Sequence, residues 1–246
     1  MRYLISISYD GSKFKGFQRQ KGVLSVQKTI EDALSKIVGS PIFIKGAGRT
    51  DANVHALDQK AHFDLDLPLD VNRLKFALNK MVTPYILINE CKIVNDDFHC
   101  RFEVIKKTYV YKIHLGPYNP FLYDYVLFAK NLDINLMQKA ANLFLGVHDF
   151  ENFVSGERKS YQAIIYAINF NQTGDILEIE FVGKSFYRYM VRSLVGALID
   201  VGQKKVALKE LEDSLLKKSS KRFSVALANG LYLKNIKYNE FREMKK

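Results

Sequence analysis

The side chains with the clearest chemical potential are Arg49 and Asp51, two positions apart in the run Gly46-Ala47-Gly48-Arg49-Thr50-Asp51-Ala52-Asn53-Val54-His55-Ala56. Small residues surround one cation and one carboxylate, so little bulk separates either from a ligand. The glycines permit left-handed backbone or close approach of a neighbouring chain. Such a loop, carried on a rigid scaffold, suits a catalytic carboxylate. The same residues also suit a plain turn whose Asp and Arg form a solvated ion pair, and residue chemistry alone leaves both readings open.

Other stretches carry weaker signals. Asp10 to Lys21 interleaves cations (Lys13, Lys15, Arg19, Lys21), aromatics (Phe14, Phe17) and amides (Gln18, Gln20). Cations suit phosphates and Gln suits ribose or base edges, against the alternative of a solvated connector. Strand alternation over 106–113 puts Tyr109, Tyr111, Ile113 and Leu115 on one face. Two tyrosines there are ordinarily core, but a phenol ring facing a cleft can stack on an everted base. A helix over 185–196 would carry Phe186, Met190, Ala197 and Val201 as an apolar stripe, with Arg188 and Arg192 one turn apart and away from it. Arg192 has mostly apolar neighbours, so it is expected to be partly buried, and a buried cation needs an anion. In Asp96-Asp97-Phe98-His99-Cys100-Arg101-Phe102 the adjacent carboxylates point apart and lack a third ligand, so a turn or cap is expected there.

The elements that must position these groups follow from periodicity and punctuation. A half-buried strand is expected over 3–9. Ser25 caps a helix to 38, with Val26, Ile30, Ala33, Leu34 and Ile37 as its stripe and Gly39 as its stop. Strands over 42–45 and 60–66 flank the Arg49–Asp51 loop, with His62 on the polar, exposed side. Asp70 caps a second helix, Pro84 precedes a strand over 86–94, and Asp133 caps a helix over 134–145 ended by Gly146. Strands over 163–170 and 177–182 enclose a turn at 172–175, and a helix over 208–216 leads to a basic run at 217–222. The tail to 246 is polar and expected to fray. This order suits an α+β fold.

The chain has 246 residues, 48% hydrophobic and 26% charged, which is ordinary for a soluble globular protein. No run approaches the ~18–20 apolar residues of a membrane span, and Met1 leads straight into a strand without a signal-peptide pattern, so a cytoplasmic location with no membrane contact is expected. Cys91 and Cys100 read as reduced thiols; five scattered histidines form no HxH or HExxH, and neither a metal nor a cofactor is expected. Lys plus Arg number 37 against 26 Asp plus Glu, a formal +11. That excess points to a polyanionic partner such as nucleic acid, or to a lysine-rich bias that only solvates the surface.

The run GAGRTDANVHA closely resembles the catalytic loop of the TruA family of tRNA pseudouridine synthases, usually GRTDAGVHA; Asn53 replaces the usual Gly, and Asn tolerates the left-handed region. YDGSKFKGFQRQ is similar to the family's YDGSxYxGWQxQ, with Phe14 and Phe17 as replacements. DDFHCRF resembles DDFHARF, and FYRYMVRSLVG resembles FxxxMVRxxVG. Tyr109 matches the first Tyr of R-x-Y-x-Y-x-I, with Lys106 or Lys107 near the usual arginine. HDFENF resembles H-D-F-x-x-F, where Val154 stands at a common arginine position, and 229–233 resembles the closing A-x-G-L-Y-L.

The resemblance implies a pseudouridine synthase fold: two ferredoxin-like halves, 1–105 and 106–246, with a joined sheet and a central cleft. It implies a homodimer acting on tRNA, at uridines on the 3′ side of the anticodon stem-loop. By the same resemblance Asp51 is the nucleophile and Arg192 its partner. Arg49 fills the gap left by a flipped nucleotide or braces the loop, and Tyr109 holds the turning base. Lys13, Gln18, Gln20, His99, Arg101 and Arg188 support substrate binding. The rivals are a paralogue acting on another RNA such as ribosomal RNA, and a tRNA-binding protein without catalysis. A metal-dependent phosphoesterase lacks a second carboxylate or His near Asp51, and a chelator would separate that case.

Overall fold

The computed structural model describes residues 1–239. It divides into two compact units, one of residues 1–106 together with 232–239, the other of residues 107–231.

In the first unit strand β1 (Arg2–Tyr9) is followed by helix α1 (Val26–Val38), strands β2 (Lys45–Gly46) and β3 (His55–Asp64), helix α2 (Val71–Val82) and strand β4 (Ile86–Val94). β1 is antiparallel to β3 on one side and β4 on the other, and β2 is antiparallel to β3. This is a βαββαβ arrangement with a short second strand. β1 is buried on both faces rather than one: Leu4 and Ser6 are buried as well as Tyr3, Ile5 and Ile7. The Tyr3 ring stacks on Phe63 at 5.5 Å.

The helix caps are those the sequence indicates. Ser25 accepts from Lys28 N–H and Asp70 from Asn72 and Arg73 N–H, while Gly39 ends α1 at φ 81°. Val26, Ile30, Ala33 and Leu34 are buried along α1. Three expectations fail here. The strand over 42–45 shrinks to two residues because side chains of α1 take its amides: Ile42 N–H donates to Ser35 Oγ and Ile44 N–H to Glu31 Oε1. β3 instead starts earlier, at His55. His62 is buried at 1% exposure, not solvated, because the segment at Phe98–Cys100 closes over it and Cys100 N–H donates to its Nδ1.

The second unit takes β5 (Val104–His114) from residue 107, then β6 (Leu127–Phe128), α3 (Ile134–Asn142), β7 (Gly146–Asp149), β8 (Gln162–Thr173), β9 (Ile176–Gly183), α4 (Met190–Gly202) and α5 (Leu208–Leu215). The strands run in the order β5-β9-β8-β7, all antiparallel, and α3 packs on α4. Asp133 caps α3 by accepting from Leu136 N–H. The helix expected from 185 begins only at Met190. Tyr189 stands before it at φ 64°, Ser155 N–H holds the Arg188 carbonyl, and the Tyr187 hydroxyl donates to the Gln162 carbonyl. Arg188 and Phe186 are therefore off the helix, and Arg188 is not one turn before Arg192 on it.

The last strand, β10 (Leu231–Tyr238), departs from a division by sequence order. From Tyr232 it belongs to the first unit: Tyr232 and Leu233 pair in parallel with His55 and Ala56, and the Tyr238 hydroxyl donates to the Cys100 carbonyl. The polar tail over 240–246 lies outside the described residues.

Candidate active-site loop

The loop between β2 and β3 is fixed from several sides. Ala47 N–H donates to the Lys60 carbonyl and Gln59 Nε2 to the Gly48 carbonyl, so the loop first runs back along β3. Thr50 is then held at both ends: its Oγ1 lies 2.7 Å from the Tyr9 hydroxyl in a buried hydrogen bond, and its carbonyl accepts from Phe17 N–H. Burial pushes the Tyr9 phenol up, keeping it neutral. Asp51 follows immediately and opens a turn closed by Val54 N–H to its carbonyl. Asn53, third in that turn, takes φ 64°, which an Asn accepts where most side chains would be strained. The Asp51 side chain is half-buried and Arg49 is exposed.

The segment 9–20 forms the loop's wall. Gly16, at φ 94°, passes so close that a Cβ would lie 2.8 Å from the Thr50 carbonyl oxygen, and Gly11 crosses against Val54. Phe14 and Phe17 point inward and are buried, so the aromatics of this segment are structural, while Lys13, Gln18, Arg19 and Gln20 are exposed. Lys13 sits 5.9 Å from the Tyr85 ring centroid, and Gln20 Nε2 donates to the Lys15 carbonyl.

His55, directly after the turn, was not singled out from sequence. It is 2% exposed, its Nδ1 accepts from Gly11 N–H at 3.1 Å, and its ring stacks on Tyr232 at 4.5 Å. The same Nδ1 lies 3.4 Å from Asp10 Oδ1. Only the resemblance could have flagged this residue, since its partners are Gly11 and the remote Tyr232.

His99 and Arg101 sit elsewhere in the same unit. The His99 ring lies 4.8 Å from that of His62, seven positions along β3 from His55, or roughly 23 Å at about 3.3 Å per residue. They do not belong to the immediate surroundings of the Asp51 turn. Desolvation, with the Arg2 and His99 charges behind it, lowers His62 to about 4.

In the second unit Tyr109 on β5 is 8% exposed and meets Phe186 edge-on at 5.3 Å. Tyr111 is packing: it is fully buried and donates its hydroxyl to the Leu227 carbonyl. Arg192 is half-buried on α4. Its Nε donates to the Ala226 carbonyl at 2.7 Å, its own carbonyl accepts from Ala226 N–H, and its guanidinium lies 4.9 Å from the Tyr189 ring centroid. The exposed Arg188 guanidinium is also 4.9 Å from that ring. Much of the basic run is ion-paired: Lys217 with Asp149 and Glu151, Lys221 with Glu210.

Among the described residues no group of three or more His, Cys, Asp or Glu is placed to hold a metal ion, and no helix is long and apolar enough to cross a membrane.

A family profile described as tRNA pseudouridine synthase matches residues 5–103 and 140–239, which include Asp51 and Arg192 but not Tyr109. The chain is 38% identical to tRNA pseudouridine synthase A of Lactobacillus helveticus over 251 residues, covering 98% of this chain and 95% of that one. It is 38% identical to tRNA pseudouridine synthase A of Streptococcus pneumoniae (strain 70585), covering 97% and 99%. A chain of an H/ACA RNP bound to a substrate RNA containing 2′-deoxyuridine aligns over 80% of this chain and 44% of its own, at TM-score 0.36 and 12% identity, too distant to add to these.

Proposed function

Because the chain belongs to the tRNA pseudouridine synthase family, it isomerises uridine to pseudouridine, and we propose that Asp51 is the carboxylate that does so. The isomerisation breaks the C1′–N1 bond, turns the uracil and joins C1′ to C5, with loss of the C5 hydrogen. Two routes start from a carboxylate at this place, attack on C1′ and removal of a sugar proton, and both end in the same product.

The observation that carries the assignment is the holding of the loop. Thr50 is pinned through its hydroxyl and its carbonyl, Asn53 sustains the left-handed step, and between them a half-buried Asp51 follows an exposed Arg49 by two residues. Such a support fixes a reacting group without help from the substrate. Arg49 then occupies the gap left by the everted nucleotide. Tyr109 stacks on the turning base and Arg192 favours the ionised carboxylate, roles supported by the motif resemblance. Lys13, Gln18, Gln20 and Arg188, all exposed, serve the RNA backbone, and His99 and Arg101 serve RNA away from the reacting nucleotide.

The target uridines are those on the 3′ side of the anticodon stem-loop, and the working form is a cytoplasmic homodimer. The three departures from the family pattern do not favour a different RNA: Asn53 keeps the loop's course, while Phe17 and Val154 are buried.

The test is tritium release from tRNA labelled at uridine C5. Asp51→Ala and Asp51→Asn are expected to lose turnover by about 10³-fold or more while binding tRNA within a few-fold of the parent. Turnover retained by either variant would remove Asp51 from the mechanism.

A further inference from the structure

Beside the loop, Arg19, one of the cations of the 10–21 segment, and Phe43, which has been given no role so far, form a small composite surface. The Arg19 guanidinium lies 5.0 Å from the Phe43 ring centroid and 3.2 Å from Glu31 Oε2. Glu31 is 4% exposed, and its other oxygen accepts from Ile44 N–H and Gln27 Nε2, so the carboxylate is fixed before Arg19 reaches it. Gln27 also accepts from Arg19 N–H. The side chain is thus tied by its backbone N–H and by an ion pair at its head, the latter without a hydrogen bond to Oε2. Phe43 nevertheless remains 61% exposed, which leaves ring surface open beyond the part Arg19 covers.

A large exposed aromatic usually needs no explanation when it stands singly. This one is braced by a cation that is itself held by a buried acid, and it is close to the reacting loop. Phe43 is six residues before Arg49, no more than about 20 Å of chain. Arg19 is two residues after Phe17, whose N–H holds the Thr50 carbonyl. A pre-ordered ring and a half-exposed guanidinium are the parts that receive a single-stranded nucleotide, the base on the ring and the phosphate on the cation.

We propose that Phe43 and Arg19 bind a nucleotide flanking the target uridine, Phe43 by stacking on its base and Arg19 by contacting its phosphate, with buried Glu31 positioning the guanidinium. The site deepens the proposed function and rests on that reading for its ligand, RNA.

The experiment measures equilibrium binding of the tRNA over a series of salt concentrations, with tritium release followed in parallel on the same tRNA. Phe43→Ala is expected to weaken binding about 5- to 100-fold without changing the salt slope, and Phe43→Tyr to restore it. Arg19→Ala is expected to weaken binding and to lower the slope of log K against log salt by about 1, as one lost phosphate contact should. Arg19→Lys should recover the slope but not the full affinity. Thermal unfolding of each variant checks that the fold is kept. Parent-like affinity and slope in both Phe43→Ala and Arg19→Ala would overturn the site. So would equal weakening in Phe43→Ala and Phe43→Tyr, which would point to loop damage. Tritium release retained by Asp51→Ala would instead defeat the Asp51 reading, and the binding series would still decide this one.

Discussion

Gly11 gives its N–H to Nδ1 of His55 while its α-carbon lies against the backbone of Val54, where a Cβ would be only 2.1 Å from the carbonyl oxygen. Two segments more than forty residues apart in sequence are thereby locked at the residue that closes the Asp51 turn. The neighbouring atoms are backbone, so an added methyl cannot be absorbed by a rotamer change. Gly11→Ala is expected to destabilise the protein by about 1–3 kcal/mol in denaturant titrations and to reduce turnover more than that loss explains. His55→Asn, which offers an acceptor in place of Nδ1, should retain more turnover than His55→Leu.

A comparable crossing fixes Arg192. A Cβ at Gly196 would lie 1.7 Å from the Ser224 carbonyl oxygen, and the same passing segment supplies Ala226, which exchanges two hydrogen bonds with Arg192. Alanine in mid-helix would ordinarily gain about 1 kcal/mol over glycine. Here overpacking of about 1–3 kcal/mol and the strain on two hydrogen bonds at about 1 kcal/mol each outweigh that gain. Gly196→Ala should lower the denaturation midpoint by the equivalent of roughly 2–4 kcal/mol, and a stabilised variant would contradict the crossing.

What the sequence revealed and what it concealed divide by distance along the chain. Ser25, Asp70 and Asp133 were legible as caps because each acts on an amide two or three residues ahead. The Arg49–Asp51 loop was legible as a short pattern of residue types. The burial of His62 was not, since it depends on Cys100, 38 residues away. Alternation along β3 assigns faces but cannot tell which face another segment will cover. The late start of α4 was hidden in the same way: Tyr187 and Arg188 are held by Gln162 and Ser155, and Tyr189 bears the left-handed step, which costs a non-glycine residue about 1–2 kcal/mol. The attachment of β10 to β3 joins residues more than 170 positions apart.

Both cysteines are interior. Cys100 is fully buried with its thiol on the Lys45 carbonyl, and desolvation pushes the Cys91 thiol up to about 12. Thiolate, not thiol, is the reactive species. Treatment of the native protein with a disulfide-exchange reagent near pH 8 should therefore modify neither cysteine within the time that denatured protein loses both. Rapid modification of either in the native state would show that the unit opens there.

The buried His62 makes stability depend on pH. Its folded pKa, about 4, lies below the ordinary 6.5, chiefly because burial opposes the charge and then because Arg2 and His99 are close. The unfolded chain thus takes up a proton near pH 6.5 that the folded chain refuses until about 4. Above pH 6.5 neither state is protonated and the contribution is flat; between 6.5 and 4 the unfolded state binds more protons, so stability falls as pH falls. The slope from this one group is at most about 1.4 kcal/mol per pH unit. His99, also lowered by desolvation, adds in the same direction. Denaturant titrations from pH 8 to 4 should show this decline, and His62→Asn should reduce its slope between 6.5 and 4. An unchanged slope in His62→Asn would mean that other groups carry the acid sensitivity.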